Sequence, residues 1–173
     1  MTAADARPAV VLALGSNLGD RLASLQAGVD VLCAGPGLFD VELSPVYETA
    51  PVGGPAQPDY LNAVLVATTT LPARAVLDRA QEAESALGRV RGERWGPRSL
   101  DVDVIVYGAE ISDDPELTLP HPRAHERAFV LAPWHDVDPG AAIPGHGRVA
   151  DLLAAVGSEG IRLCPGTRLR GPS

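Results

Sequence analysis

The run at positions 100–107, Leu-Asp-Val-Asp-Val-Ile-Val-Tyr, constrains this chain more than any other. Its period of two predicts a strand with Leu100, Val102, Val104 and Val106 on one side and Asp101 and Asp103 on the other. Aspartate is disfavoured in strands, and these two carboxylates stand about 7 Å apart along a segment that is otherwise strongly apolar. Something must compensate two like charges beside a core. A divalent cation does so, and all-oxygen donors favour magnesium; nearby arginines across a solvated strand face are the other solution.

The surrounding periodicities place this strand in a series. Residues 8–14 read as a buried strand. A turn at 15–20 follows, with Asp20 as N-cap of an amphipathic helix over 21–33 in which Leu22, Leu25, Val29 and Leu32 recur at helical spacing. Gly35-Pro36-Gly37 ends it, and residues 39–47 read as a second strand. A Pro- and Gly-rich loop at 49–58 is long for a compact domain and so a functional candidate. Residues 60–69 predict a third strand, with Tyr60, Asn62, Val64 and Val66 opposite Leu61, Ala63, Leu65 and Ala67. Pro72 opens a second helix striped by Val76, Leu77, Ala80, Ala83 and Leu87, and Gly88 ends it. After the 100–107 strand come Leu119-Pro120-His121-Pro122, a short helix over about 123–131 bounded by Pro133, and a last helix near 150–156. The order β-α-β-β-α-β is that of an α+β, ferredoxin-like unit, an antiparallel sheet with helices on one face, followed by C-terminal additions. The 173 residues suit a single domain, with 1–7 and about 160–173 expected as flexible tails.

Composition narrows the function classes. A net charge of −8 argues against nucleic-acid binding, and no apolar run approaches the ~18–20 residues of a membrane span. Cys33 and Cys164, in a chain whose start lacks the pattern of a secretory signal, read as reduced thiols of a cytoplasmic protein. All 14 basic residues are arginine. Arg89, Arg91, Arg94, Arg98, Arg123 and Arg127 gather in one stretch, which in an acidic chain suggests a confined anion site such as one for a polyphosphate. Arginines feeding a strand with two metal-binding carboxylates are what transfer from a polyphosphate requires, because its catalysis is chiefly positioning and charge neutralisation.

Four ordered segments then carry a resemblance. They are Leu14-Gly15-Ser16-Asn17-Leu18-Gly19; Gln57-Pro58-Asp59-Tyr60-Leu61-Asn62-Ala63; Arg94-Trp95-Gly96-Pro97-Arg98-Ser99-Leu100-Asp101-Val102-Asp103-Val104-Ile105; and Leu119-Pro120-His121-Pro122-Arg123 through Glu126-Arg127-Ala128-Phe129-Val130-Leu131. In sequence and order they resemble the 6-hydroxymethyl-7,8-dihydropterin pyrophosphokinases of folate synthesis.

The resemblance implies a magnesium-dependent transfer of diphosphate from ATP to the hydroxymethyl group of a reduced pterin, with AMP as the second product. It implies that Asp101 and Asp103 bind two magnesium ions, and that Arg89, Arg91 and Arg98 act on the phosphates. Thr49, Pro51, Val52, Tyr60, Asn62, Trp95 and Phe129 match pterin-side positions, Tyr60 and Phe129 as a stacking pair. Gln81, Glu84, Arg91, Trp95, Arg98, Ile105, Thr118, His121 and Arg127 match ATP-side positions. Glu116 and Pro122 depart from residues that some members carry, and the 89–98 loop is a residue shorter than in some. The expected partners are ATP and the reduced hydroxymethylpterin, met by a monomer without nucleic acid or membrane. Two rivals stand beside this: a small D-x-D nucleotidyltransferase, which attacks the α-phosphorus and releases diphosphate, and a non-catalytic ligand-binding module.

Overall fold

The computed structural model describes residues 6–51, 56–88 and 99–172. β1 (Ala9–Ser16) runs through the centre of the sheet and leads into α1 (Arg21–Cys33). Asp20 caps that helix as its position predicts, its carboxylate accepting from the Ala23 amide at 3.1 Å. α1 lies close on the sheet because Gly28 has no side chain: a Cβ there would stand 2.8 Å from Leu100.

The expected second strand at 39–47 is two strands, β2 (Leu38–Leu43) and β3 (Tyr47–Thr49). The break falls at Ser44-Pro45, since Pro45 has no N–H for the ladder. Ser44 bridges the gap: its amide donates to the Val64 carbonyl at 2.9 Å, and its hydroxyl accepts from the Val64 amide at 2.8 Å. β2 and β3 therefore pair with different ends of β4 (Tyr60–Thr69). α2 (Ala73–Ala86) and β5 (Asp101–Tyr107) complete the core unit.

With β10 (Ile161–Leu163) at one edge, the main sheet has the order β10-β3-β4-β1-β5, with β2 also on β4, and every pairing in it is antiparallel. This is the ferredoxin-like arrangement. One face carries α1 and α2 over Val10, Leu12, Leu14, Leu61, Ala63, Leu65 and Val102. The other face is not bare. α3 (Ala128–Val137) and α4 (Val149–Val156) pack on Val11, Val64, Ile105 and Val106, so the sheet has helices on both faces rather than one.

Two further differences have physical causes. Val106 does not share a face with Val102 and Val104. The register steps from Val11↔Val106 to Leu12↔Val104, which leaves Ile105 as the extra residue of a bulge and turns Val106 into the second core. Pro133 does not bound its helix but lies inside α3. Complete or near-complete burial of Val130, Leu131 and Trp134 outweighs the hydrogen bond and fit that an interior proline gives up.

β6 (Ser112–Asp114) and β7 (Leu117–Leu119) form a hairpin, a 3-10 turn spans Ala124–Glu126, and β8 (Ala142–Ile143) pairs with β9 (Gly147–Arg148). The stretch expected as a C-terminal tail is seated on the domain. β10 (Ile161–Leu163) pairs with β3, Leu169 is buried in the first core, and the Arg170 backbone exchanges two hydrogen bonds with the Gln26 side chain, at 2.8 and 2.9 Å. Among the described residues no helix is long and apolar enough to cross a membrane.

Candidate functional site

α3 and α4 cover one half of the second sheet face; the other half floors a cavity of about 600 Å³. The floor is laid out by register. Asp101, Gly15, Asn62 and Tyr47 form one row across β5, β1, β4 and β3, and Asp103, Ala13 and Val64 form the next. The predicted spacing thus brings both aspartates onto one face at the lip of the cavity, half-buried.

The row works because of Gly15. A Cβ at that position would stand 2.9 Å from Asn62 Oδ1 and 3.4 Å from the Tyr60 ring, so only a residue without a side chain lets both lie this close over its backbone. Asn62 is held from the other side, its Nδ2 donating to Thr49 Oγ1 at 2.7 Å, with both side chains buried. Its carboxamide is therefore fixed before a ligand arrives, and a fixed donor–acceptor group suits the polar edge of a heterocycle. Asn17 clasps the loop beyond: its amide donates to Gln57 Oε1 at 2.7 Å and to the Pro58 carbonyl at 3.0 Å.

The opposite wall comes from the segment after β7. Phe129 and Tyr60 both line the cavity, and the Arg127 guanidinium lies 5.5 Å from the Phe129 ring centroid. Arg123 and Glu126 stand beside them. A third wall is the turn after α4, at Gly157, Glu159, Gly160 and Ile161. Tyr47, in the Asn62 row, donates its hydroxyl to Asp136 of α3, and burial together with that carboxylate pushes its pKa up.

Of the residues singled out in the sequence, Thr49, Pro51, Tyr60, Asn62, Asp101, Asp103, Arg123, Arg127 and Phe129 come together around this cavity. Val52, Arg89, Arg91, Arg94, Trp95 and Arg98 lie outside the described residues. Gln81 and Glu84 belong to α2, on the far face; Gln81 is exposed, and buried Glu84 accepts from the Val102 amide at 3.2 Å. Ile105 is buried in the second core, where its carbonyl accepts from the His121 amide at 2.8 Å. Thr118 donates to the Asp114 carbonyl at 2.9 Å within the hairpin.

His121 does not line the cavity. Burial lowers its pKa, while the charge of Asp103 acts in the opposite sense, and its Nδ1 accepts from the Arg123 amide at 3.2 Å. Glu116, one of the departures, pairs with Arg74 of α2 at 2.5 Å. Sequence reasoning gave no role to Glu126 and Gln57, although both stand inside the matched segments, and read Arg123 only as one of the clustered arginines. It also left out the 157–161 turn, whose Gly-Ser-Glu-Gly has no local signal of a cavity wall.

Among the described residues no group of three or more His, Cys, Asp or Glu side chains is placed to hold a metal ion. Asp101 and Asp103 offer two carboxylates at the cavity's lip. That donor set fits magnesium, which binds through one or two carboxylates and takes its other ligands from water and substrate phosphates.

The sequence matches the family model for 7,8-dihydro-6-hydroxymethylpterin-pyrophosphokinase (HPPK) over residues 11–139. It is 52% identical over 146 residues to the 2-amino-4-hydroxy-6-hydroxymethyldihydropteridine pyrophosphokinase of Mycobacterium tuberculosis, a match spanning 78% of this chain and 74% of that one. The enzyme of the same name from Mycobacterium leprae is 50% identical over 171 residues, covering 89% and 87%. That from Pseudomonas aeruginosa is 40% identical over 157 residues, covering 91% and 97%. Among solved structures, wild-type Plasmodium falciparum HPPK-DHPS superposes with a TM-score of 0.65 at 12% identity, over 91% of this chain and 48% of that chain. This chain spans less than half of that longer protein, and the likeness is one of fold.

Proposed function

The chain belongs to the 7,8-dihydro-6-hydroxymethylpterin-pyrophosphokinase family, and from that premise we propose that it transfers the terminal diphosphate of ATP to the hydroxymethyl group of 6-hydroxymethyl-7,8-dihydropterin, with magnesium, in folate biosynthesis. The observation that carries the reading is one cavity with two chemistries. Asp101 and Asp103 line it together with Tyr60, Asn62 and Phe129. The aspartates suit a metal–polyphosphate; the aromatic pair and the clamped amide suit a flat ring with a polar edge.

Each group has a task. Tyr60 and Phe129 hold the pterin ring by its faces, contributing about 0.5–1.5 kcal/mol for each stacked pair beyond burial. Asn62, kept in place by Thr49, bonds the ring's polar edge and fixes the direction of the hydroxymethyl group. Arg127 and Arg123 bring positive charge to the same space and offset that of the phosphates. Asp101 and Asp103 would hold two magnesium ions, which when bound neutralise charge on the phosphates and orient them. The hydroxymethyl oxygen then attacks the β-phosphorus in line, and AMP leaves. Positioning of this kind accounts for large rate factors without a covalent enzyme intermediate. Arg89, Arg91 and Arg98 complete the phosphate grip in this reading, Val52 and Trp95 the pterin side, and Gln81, Glu84, Ile105, Thr118 and His121 the nucleotide side. Free thiols and the net charge of −8 support a cytoplasmic monomer that meets neither nucleic acid nor membrane.

The test is product identity. Purified protein, ATP, magnesium and the reduced hydroxymethylpterin should yield AMP and the pterin diphosphate in equal amounts. Release of diphosphate instead would make it a nucleotidyltransferase, and magnesium-dependent ATP binding without turnover would make it a binding module.

A further inference from the structure

Behind the pterin-side wall, four charged side chains from distant parts of the chain meet at the sheet edge. Glu48 of β3 is the hub. Its Oε2 accepts from Arg21 Nη1 at 2.7 Å, and its Oε1 from Arg162 Nη2 at 2.6 Å. Arg21 also donates to the Asp59 carbonyl at 2.9 Å, and Arg162 Nη2 lies 3.5 Å from Asp59 Oδ2. One group of contacts therefore ties α1, β3, the start of β4 and β10.

The positions of these residues matter more than their number. Thr49 follows Glu48, Tyr60 follows Asp59, and Ile161 precedes Arg162; all three neighbours line the substrate cavity. Each wall segment is thus pinned one residue away from the side chain it presents. A second cavity of about 370 Å³ opens among Glu48, Asp59, Arg162, Ala50, Gly160 and Ile161. The backbone ladder fixes the spacing of β10, β3 and β4, and the ion pairs beside this cavity add side-chain ties that hold the residues before and after Thr49, Tyr60 and Ile161 to one another and to α1.

An exposed ion pair contributes little to stability, and the Arg162 side chain is 69% exposed. Glu48 and Arg21 are more sheltered, at 25% and 30%, and two guanidinium groups share one carboxylate. Such a group can fix a geometry without adding much to the folding free energy.

We infer that Glu48, with Arg21, Arg162 and Asp59, is a charge latch that positions the pterin-side walls, Glu48 and Arg162 acting as positioning residues for ring affinity. The inference rests on the pterin reading above. The test uses the full chain with magnesium and a non-hydrolysable ATP analogue. The dissociation constant of 6-hydroxymethylpterin is followed by its own fluorescence, that of the analogue by calorimetry, and the melting temperature is recorded for each variant. Glu48→Gln and Arg162→Ala should each weaken pterin binding roughly tenfold, as a small misplacement of a binding wall does, and leave analogue affinity and melting temperature where they were. Arg162→Lys should recover most of the loss. Added salt should weaken pterin binding to the parent and have little effect on Glu48→Gln.

Unchanged pterin affinity in both variants would overturn the latch. So would equal losses for pterin and nucleotide accompanied by a lower melting temperature, because the contacts would then serve the fold alone. A parent protein that does not bind the pterin would overturn the functional reading itself, and the latch with it.

Discussion

The two faces of the sheet are made by the same strands and do opposite things. On the α1–α2 face, Leu12, Leu65 and Ala63 are 0–1% exposed and pack within the first apolar core. On the other face, the neighbours of these residues in the chain, Asn62 and Ala13 among them, floor a cavity with Asp101 and Asp103 at its lip. Sequence alternation thus separates stability from chemistry one residue at a time. The second face is itself divided: where α3 and α4 cover it the residues are Val11, Val64, Ile105 and Val106, and where they stop, polar groups begin. A site in this fold is the part of a sheet face that helices leave open.

This division can be broken or sharpened in four ways. The largest effect should follow Asp101→Ala or Asp103→Ala. Turnover measured as AMP formation should fall with a barrier higher by about 3–4 kcal/mol, as when one transition-state contact is lost, while the melting temperature holds or rises because two like charges no longer face each other. Near-normal turnover in either variant would break the assignment of chemistry to this face.

Leu65→Ala makes the converse change on the same strand. It should lower stability by about 2–5 kcal/mol in urea denaturation, and molecules still folded should bind pterin as the parent does. A selective loss of pterin affinity would mean that the two faces are coupled.

Gly15→Ala probes the floor itself. The new methyl group meets Asn62 Oδ1, so pterin affinity should drop by about 1–3 kcal/mol, measured by fluorescence, with nucleotide affinity less affected. Equal losses of both would place the clash elsewhere.

The smallest effect concerns the thiols, which pack against the core on the α1–α2 side. Burial raises the pKa of Cys33 and of Cys164, so both favour the neutral form at neutral pH. Alkylation at about pH 8 should be slower than for a peptide cysteine and should accelerate only as pH rises past the ordinary thiol range. Fast labelling of either thiol in the native protein would mean that its part of the α1–α2 face opens readily.

Much of this was legible locally. The 21–33 helix with its Asp20 cap, the 60–69 strand with its two faces, and the Asp101–Asp103 pair all came from periodicity and capping, which act over a few residues. The pterin-side residues were legible only through matched segments, because Tyr60 and Phe129 taken alone read equally well as core. Glu126 stood in those segments without a role, and Arg123 was read only as one of the clustered arginines, as nothing in their spacing says which way they face.

Sequence alone determined which residues could share a face and where the helices start, because alternation and caps are properties of neighbours along the chain. Tertiary structure decided the rest. It made Ile105 a bulge, kept Pro133 inside a helix, set Asp101, Gly15 and Asn62 in one row, and brought residues 157–161 round to wall the cavity. Those outcomes depend on which strand lies beside which and on what a buried side chain gains there, and contacts between residues a hundred positions apart leave no trace in local pattern.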